Sequence, residues 1–310
     1  MGKASEEDLA KSREERDKVR RQLGCIPESI LLHDKSDQAR DLLVEEEERA
    51  YTSTFHQPEK TATAFGKITF EERNKQLFYL SGAGARWGAL SRFPQNIGRI
   101  LLKLYTREGQ TVVDPFAGHN SRMELCYRSR RNYIGCDISK KFMEANFKLC
   151  EMLLEENAAD MFAGENKATI TLHECDSRKM EPVKNNAGDF TITSPPYWDL
   201  EYYGDEPEQL GKDNEYSEFL LRLGQVCEAN FRCLKSGSFC VWCINDFRKD
   251  GKFYSYHMHT AQLLRDAGFK QHDIAIIDLG GSFGQAFASQ IVENKILPKR
   301  HEYALIFRKP

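Results

Sequence analysis

No apolar run in this chain approaches the roughly 18 residues that a membrane-spanning helix needs. The stretch from Met1 to Lys18 is charged throughout, without the apolar block of a secretory leader. A protein working in the cytoplasm and away from the membrane is therefore expected. Cysteine is not scarce at nine, yet there is no paired Cys-x-x-Cys arrangement, so reduced core thiols are expected and no metal site. Cys240 and Cys243 flank Val241-Trp242, and a strand would turn them to opposite faces. A large charge of one sign is also missing: the net charge is −3, which by itself argues against a strongly basic nucleic-acid binder. Internal repeats, low-complexity tracts and a Gly-rich phosphate loop are absent as well.

What is present is a chain of 310 residues with 40% hydrophobic content, enough for one large α/β domain with an extension. The acidity is concentrated at the start, where residues 1–50 carry ten Lys/Arg against fourteen Asp/Glu. Residues 3–22 read as an exposed charged helix, and residues 1–60 as a mainly helical extension of a domain over 61–310. Within that domain two stretches, 122–148 and the one from Gly280 onward, lean basic and could follow a phosphate backbone or be ordinary solvated faces. From about residue 90 helix and strand alternate. Ile97, Ile100, Leu101 and Leu104 recur at helical spacing, and Thr111-Val112-Val113 then reads as a strand ending at Asp114. Later strands end at Asp137, toward Asp176, and at Ser194. Ser139 is expected to cap a helix with the stripe Met143, Phe147, Cys150 and Leu154, and Ser217 to cap a helix through Phe219, Leu223 and Val226. Three more strands, over 238–244, 273–279 and 301–307, bring the total to seven. Strands separated by helices predict a mostly parallel sheet with helices on both faces, and ligands in such sheets sit outside the carboxyl ends of the strands.

The chemistry-bearing residues fall at those ends. Asp114-Pro115-Phe116-Ala117-Gly118 turns a strand into a helix, where a glycine lets the backbone approach a ligand and free N–H groups point outward. Asp137 is placed to accept both hydroxyls of a ribose, and Asp176 could accept the amino group of adenine. A carboxylate-lined nucleoside pocket without a phosphate loop argues against NAD and ATP and fits S-adenosylmethionine. Thr193-Ser194-Pro195-Pro196-Tyr197-Trp198 supplies a base platform. The two prolines leave the strand with carbonyls unpaired, the Ser194 hydroxyl can hold an exocyclic amino group, and Tyr197 can stack on the ring. Trp198 reads equally as a second base contact or a core anchor.

On DPFAG at 114–118 and SPPY at 194–197 the sequence resembles the S-adenosylmethionine-dependent amino methyltransferases that make N4-methylcytosine or N6-methyladenine in DNA. The resemblance covers about residues 88–309. Asp137, Asp176, the stretch Ser91 to Asn96 and the strand opening at His301-Glu302-Tyr303 support it. It implies a Rossmann-like methyltransferase fold, S-adenosylmethionine as cofactor and double-stranded DNA as partner. It also implies methionine-end contacts from Phe93 and from Asp114, Pro115, Phe116, Ala117 and Gly118. The ribose falls to Asp137 with Ile138, the adenine to Asp176 with Ser177, and catalysis to Ser194, Pro195, Pro196 and Tyr197. Direct transfer to the amino nitrogen of a flipped base follows, and no metal is called for. Serine at 194 favours cytosine N4 over adenine N6, with RNA base methylation a more distant alternative. Two departures stand out. His119-Asn120 replaces a second glycine after the first motif, and residues 199–218 hold eight acidic side chains and one basic, an odd neighbour for DNA. Target recognition is expected from the extension and the loop from Gly280 to Arg300.

Overall fold

The computed structural model describes residues 6–23, 29–32, 93–118, 121–159, 166–200, 206–213, 215–279, 295–297 and 299–310. The charged start forms helix α1 (Glu6–Leu23), followed by a short strand β1 (Ile30–Leu32). Helix α2 (Gln95–Tyr105) leads to β2 (Thr111–Asp114), α3 (Ser121–Arg128) to β3 (Asn132–Asp137), and α4 (Lys140–Ala159) to β4 (Ile170–Glu174). After β5 (Gly188–Thr193), α5 (Tyr216–Cys233) runs directly into the long β6 (Leu234–Ile244). A hairpin, β7 (Phe247–Lys249) and β8 (Lys252–Tyr254), precedes α6 (Tyr256–Asp266), β9 (Lys270–Asp278) and β10 (His301–Arg308).

Eight of the ten described strands form one sheet in the order β1-β9-β10-β6-β5-β2-β3-β4, and β7 pairs with β8 apart from it. Only β10 runs antiparallel to its neighbours. The seven expected strands are all present, with the chain reversing direction across the sheet between β2 and β5. This is a Rossmann-like, mostly parallel sheet. An eighth strand comes from the charged N-terminal segment. Ile30–Leu32 pairs with β9 in parallel, and Leu31 is buried while its two neighbours are exposed. The Asn96 amide secures that strand from α2, donating to the Leu32 carbonyl at 2.6 Å.

Period-two alternation along β6 shows how both sheet faces are covered. Val241 and Cys243 pack with Ile97, Leu101 and Leu149, from α2 and α4, on one face. Cys240, Trp242 and Ile244 pack with Phe219, Leu223 and Leu264, from α5 and α6, on the other. The two cysteines thus sit on opposite faces, both buried.

Three expectations about helices are corrected. The buried face of α4 is Phe142, Met143, Asn146, Leu149 and Leu153, while Phe147 and Leu154 are exposed. The stripe was offset because positions four, seven and eleven residues after Phe142 share its face. Ser139 does not cap α4 through its hydroxyl, which is buried without a partner; the first helical N–H, of Lys140, instead donates to Glu206 Oε1 at 3.0 Å. Likewise α5 starts one residue before Ser217, so Ser217 lies inside the helix.

Because β2 to β6 are parallel, Asp114, Asp137, Asp176, Ser194 and Asn245 all emerge at one end of the sheet. The antiparallel β10 begins there too, at His301.

Candidate active site

Asp114 is the hub of the first turn, and its carboxylate is fully buried. Oδ1 accepts the Thr193 hydroxyl at 2.6 Å and the Phe116 N–H at 3.1 Å; Oδ2 accepts Arg122 Nε at 2.6 Å and the Tyr133 hydroxyl at 2.9 Å. Four donors saturate the carboxylate with protein partners. Asp114 thereby fastens β2 to β3, β5 and α3. Arg122 continues the network by donating to the Phe116 carbonyl and lying 5.6 Å over the buried Phe93 ring. Burial works against the Arg122 charge, but Asp114 overrides it and holds the guanidinium above its ordinary pKa.

The N–H groups of the turn are also engaged: Ala117 donates to the Cys136 carbonyl at 2.9 Å and Gly118 to Asp137 Oδ2 at 2.8 Å. Gly118 adopts φ +55°, a left-handed conformation that a side chain would strain. Pro115 and Ala117 are buried, whereas Phe116 is half-buried and packs edge-on to Trp242 at 5.9 Å. His119 and Asn120 lie outside the described residues.

Asp137 is half-buried, as is Ile138 beside it. Its second oxygen takes the Ser139 N–H at 2.8 Å, so each carboxylate oxygen accepts one backbone donor and keeps a lone pair. Burial pushes this carboxyl up to about 6, with the Ser139 and Gly118 N–H groups pulling the other way. Asp176 is different. Burial raises its pKa, but Arg178, gripping both oxygens at 2.6–3.0 Å, holds it below the ordinary carboxylate range. Ser177 is buried, and its hydroxyl donates to the Pro115 carbonyl, locking the turn after β4 onto the first turn.

The second motif leaves β5 beside this assembly. Ser194 is half-buried, and neither its hydroxyl nor the Pro195 carbonyl has a hydrogen-bond partner among the described residues. The Pro196 carbonyl is held by the buried Tyr256 hydroxyl at 2.9 Å. The Tyr197 hydroxyl accepts the Asn245 N–H at 2.9 Å, and its half-buried ring leans on Tyr256 and Phe247. Trp198 resolves as a core anchor: it is buried, donates Nε1 to the Asp213 carbonyl at 2.7 Å, and carries Lys249 Nζ 4.2 Å above its ring. Three of the six described acidic residues in the stretch 199–218 are engaged locally. Asp199 pairs with Lys249, Asp213 with Arg222, and Glu206 with the N-terminus of α4. Residues 201–205 lie outside the described residues.

Side chains to which the sequence reading gave no role therefore do much of the positioning: Arg122, Tyr133, the Thr193 hydroxyl and Tyr256. Their signal is spatial, since each belongs to a different element from the residue it holds. The turn, the Asp137 carboxylate and the Ser-Pro-Pro-Tyr strand end are thus assembled at one edge of the sheet. Residues 11–148 match the family model described as DNA methylase. This chain resembles the DNA methylases. The matched stretch begins inside the charged N-terminal segment and ends before the second motif. No curated protein matches the chain significantly. Among solved structures, a SAM-dependent methyltransferase of Methanosarcina mazei is 12% identical, covering 71% of this chain and 99% of its own, with TM-score 0.45. A SAM-dependent methyltransferase of Aquifex aeolicus is 14% identical over 68% of this chain and 88% of its own, with TM-score 0.42. A provisionally assigned DNA modification methylase of Thermus thermophilus, complexed with S-adenosyl-L-methionine, is 26% identical over 44% of this chain, with TM-score 0.33. The match spans about half of that chain, 53%.

Proposed function

We propose that this chain is an S-adenosylmethionine-dependent DNA methyltransferase acting on the exocyclic amino group of a flipped base, with cytosine N4 preferred over adenine N6. The carrying observation is the pair of unpartnered acceptors at the end of β5, Ser194 Oγ and the Pro195 carbonyl, beside the half-buried Tyr197 ring. An exocyclic amino group offers two hydrogens and a lone pair delocalised into its ring. Accepting both hydrogens on these oxygens localises the lone pair on nitrogen, and Tyr197 holds the ring face-on. S-adenosylmethionine supplies the methyl group on a sulfonium. Asp137 fits its ribose, because each carboxylate oxygen keeps a lone pair for one hydroxyl. Asp176 fits the adenine amino group less directly, since Arg178 already grips both oxygens. The backbone and rings around Phe116 to Gly118, not the Asp114 carboxylate, would then face the methionine end. The preference for cytosine rests on serine at position 194.

The test is methyl transfer to duplex DNA by the purified protein, read by mass spectrometry of the nucleosides. N4-methylcytosine is expected, and Ser194→Ala should slow transfer about a hundredfold or more, the scale for losing one preorganised polar contact to the reacting group. Methyl groups found in RNA and not in DNA would refute the substrate reading.

A further inference from the structure

The hairpin β7–β8 is not accounted for by the site above, although it follows β6 at the same end of the sheet. Its turn, Asp250-Gly251, has φ of +49° and +76°, the left-handed pair of a tight two-residue hairpin. Pairing is Phe247 with Tyr254, Arg248 with Phe253, and Lys249 with Lys252. Directly opposed residues share a face, and successive ones alternate. One face carries Phe247 and Tyr254, stacked at 5.0 Å and packed against Tyr197, Trp198, Tyr216 and Tyr256. The other carries Arg248 and Phe253, both exposed, with the guanidinium 5.1 Å over the ring.

Lys299, leading into β10, brings a second cation to the same ring, its Nζ 4.7 Å from the centroid. That Nζ is shielded from solvent without a hydrogen-bond partner, and it stands 3.8 Å from Asp246. Lys252 is exposed near the tip. The only opposing charge on the hairpin is Asp250, since Lys249 is already paired with Asp199. One side of the hairpin thus buttresses the Tyr197 platform, and the other presents an exposed aromatic ring beside cations.

We propose that this hairpin is a wing that grips the DNA backbone beside the flipped base, with Arg248 and Lys252 taking phosphates and Phe253 packing against the exposed sugar and base edge. The proposal rests on the reading that the substrate is DNA. Cations interleaved with an exposed aromatic suit a polyanion with stacking faces. A rigid mount on the platform would make backbone contact and base presentation a single event.

The test is binding of the full chain to a labelled duplex across 50–500 mM KCl, alongside methyl transfer. Each lost phosphate contact removes about 0.9 from the slope of log affinity against log salt. Arg248→Gln with Lys252→Gln should therefore flatten the slope by about 1.8, while the dissociation constant for S-adenosylmethionine stays at the wild-type value. Phe253→Ala should weaken binding without changing the slope. Lys270→Gln, at the opposite end of the sheet, should leave both unchanged. If the wild type methylates DNA and the double variant keeps the wild-type slope, the wing is overturned and the functional reading stands. A wild type that binds RNA through the hairpin and not duplex DNA overturns both.

Discussion

Replacing Asp114 by asparagine separates two roles that a carboxylate at this position could have. If it is the internal hub described above, the variant keeps Oδ1 for Thr193 and Phe116 but turns an amide donor toward Arg122 Nε and the Tyr133 hydroxyl, both of which are donors. Arg122, only 7% exposed, then holds a charge with no carboxylate beside it. Removing one partner of a buried ion pair costs about 3–5 kcal/mol. With a urea slope near 3 kcal/mol per molar, the upper end of the usual range, the unfolding midpoint should fall by more than about 1 M. The assay is equilibrium urea unfolding of the protein without cofactor, followed by tryptophan fluorescence. A variant that unfolds at the wild-type urea concentration and loses only affinity for S-adenosylmethionine would refute the hub and restore a ligand-facing carboxylate.

Cofactor affinity should depend on the ionisation of Asp137. With its pKa near 6, affinity measured by calorimetry should fall roughly tenfold per pH unit below that value and level off above it, and Asp137→Asn should abolish the dependence. The stability term has the opposite sign. A carboxyl raised above its unfolded value of about 3.9 binds its proton more tightly in the folded state, so its contribution is present at low pH and lost as pH rises through about 4 to 6. Tyr256→Phe leaves the Pro196 carbonyl unpaired; about 1–2 kcal/mol of stability should be lost, with a drop in kcat at an unchanged cofactor dissociation constant. Glu206→Gln removes a negative charge from the N-terminus of α4, which should lower Tm by about 1–3 °C, less at high salt.

The sheet was legible because its signals are local. An apolar run such as Phe190-Thr191-Ile192 and the polar residue that ends it sit within a few positions, so the carboxyl-end cluster could be placed from sequence. What was not legible depends on contacts between distant segments. Thr193 reaches Asp114 across 79 positions, and Glu206 caps α4 across 66, so neither the saturation of Asp114 nor the idle hydroxyl of Ser139 has a local signature. Strand β1 is three residues long, too short for a period to show, and is defined only by its pairing with β9. The hairpin leaves a mark in Asp250-Gly251, but its flanks, Arg248-Lys249 and Lys252, are polar because one of its faces meets solvent, and no element is expected there from the sequence. Trp198 could not be settled from sequence because a strand-end tryptophan serves a ligand or a core equally well; the Asp213 carbonyl beneath its indole decides it.

The convergence of Thr193, Tyr133, Arg122 and the Phe116 N–H on one carboxylate has a consequence for dynamics. A hub shared by β2, β3, β5 and α3 cannot be released one strand at a time, because loosening any spoke leaves a buried ion pair under-coordinated for the rest. Amide protons on these three strands should therefore exchange through a common opening, with matching free energies, while β1 and the β7–β8 hairpin exchange through shallower fluctuations. Sheet and pocket would then form as one cooperative unit, and a ligand held at Asp137 would slow exchange along the whole of β5.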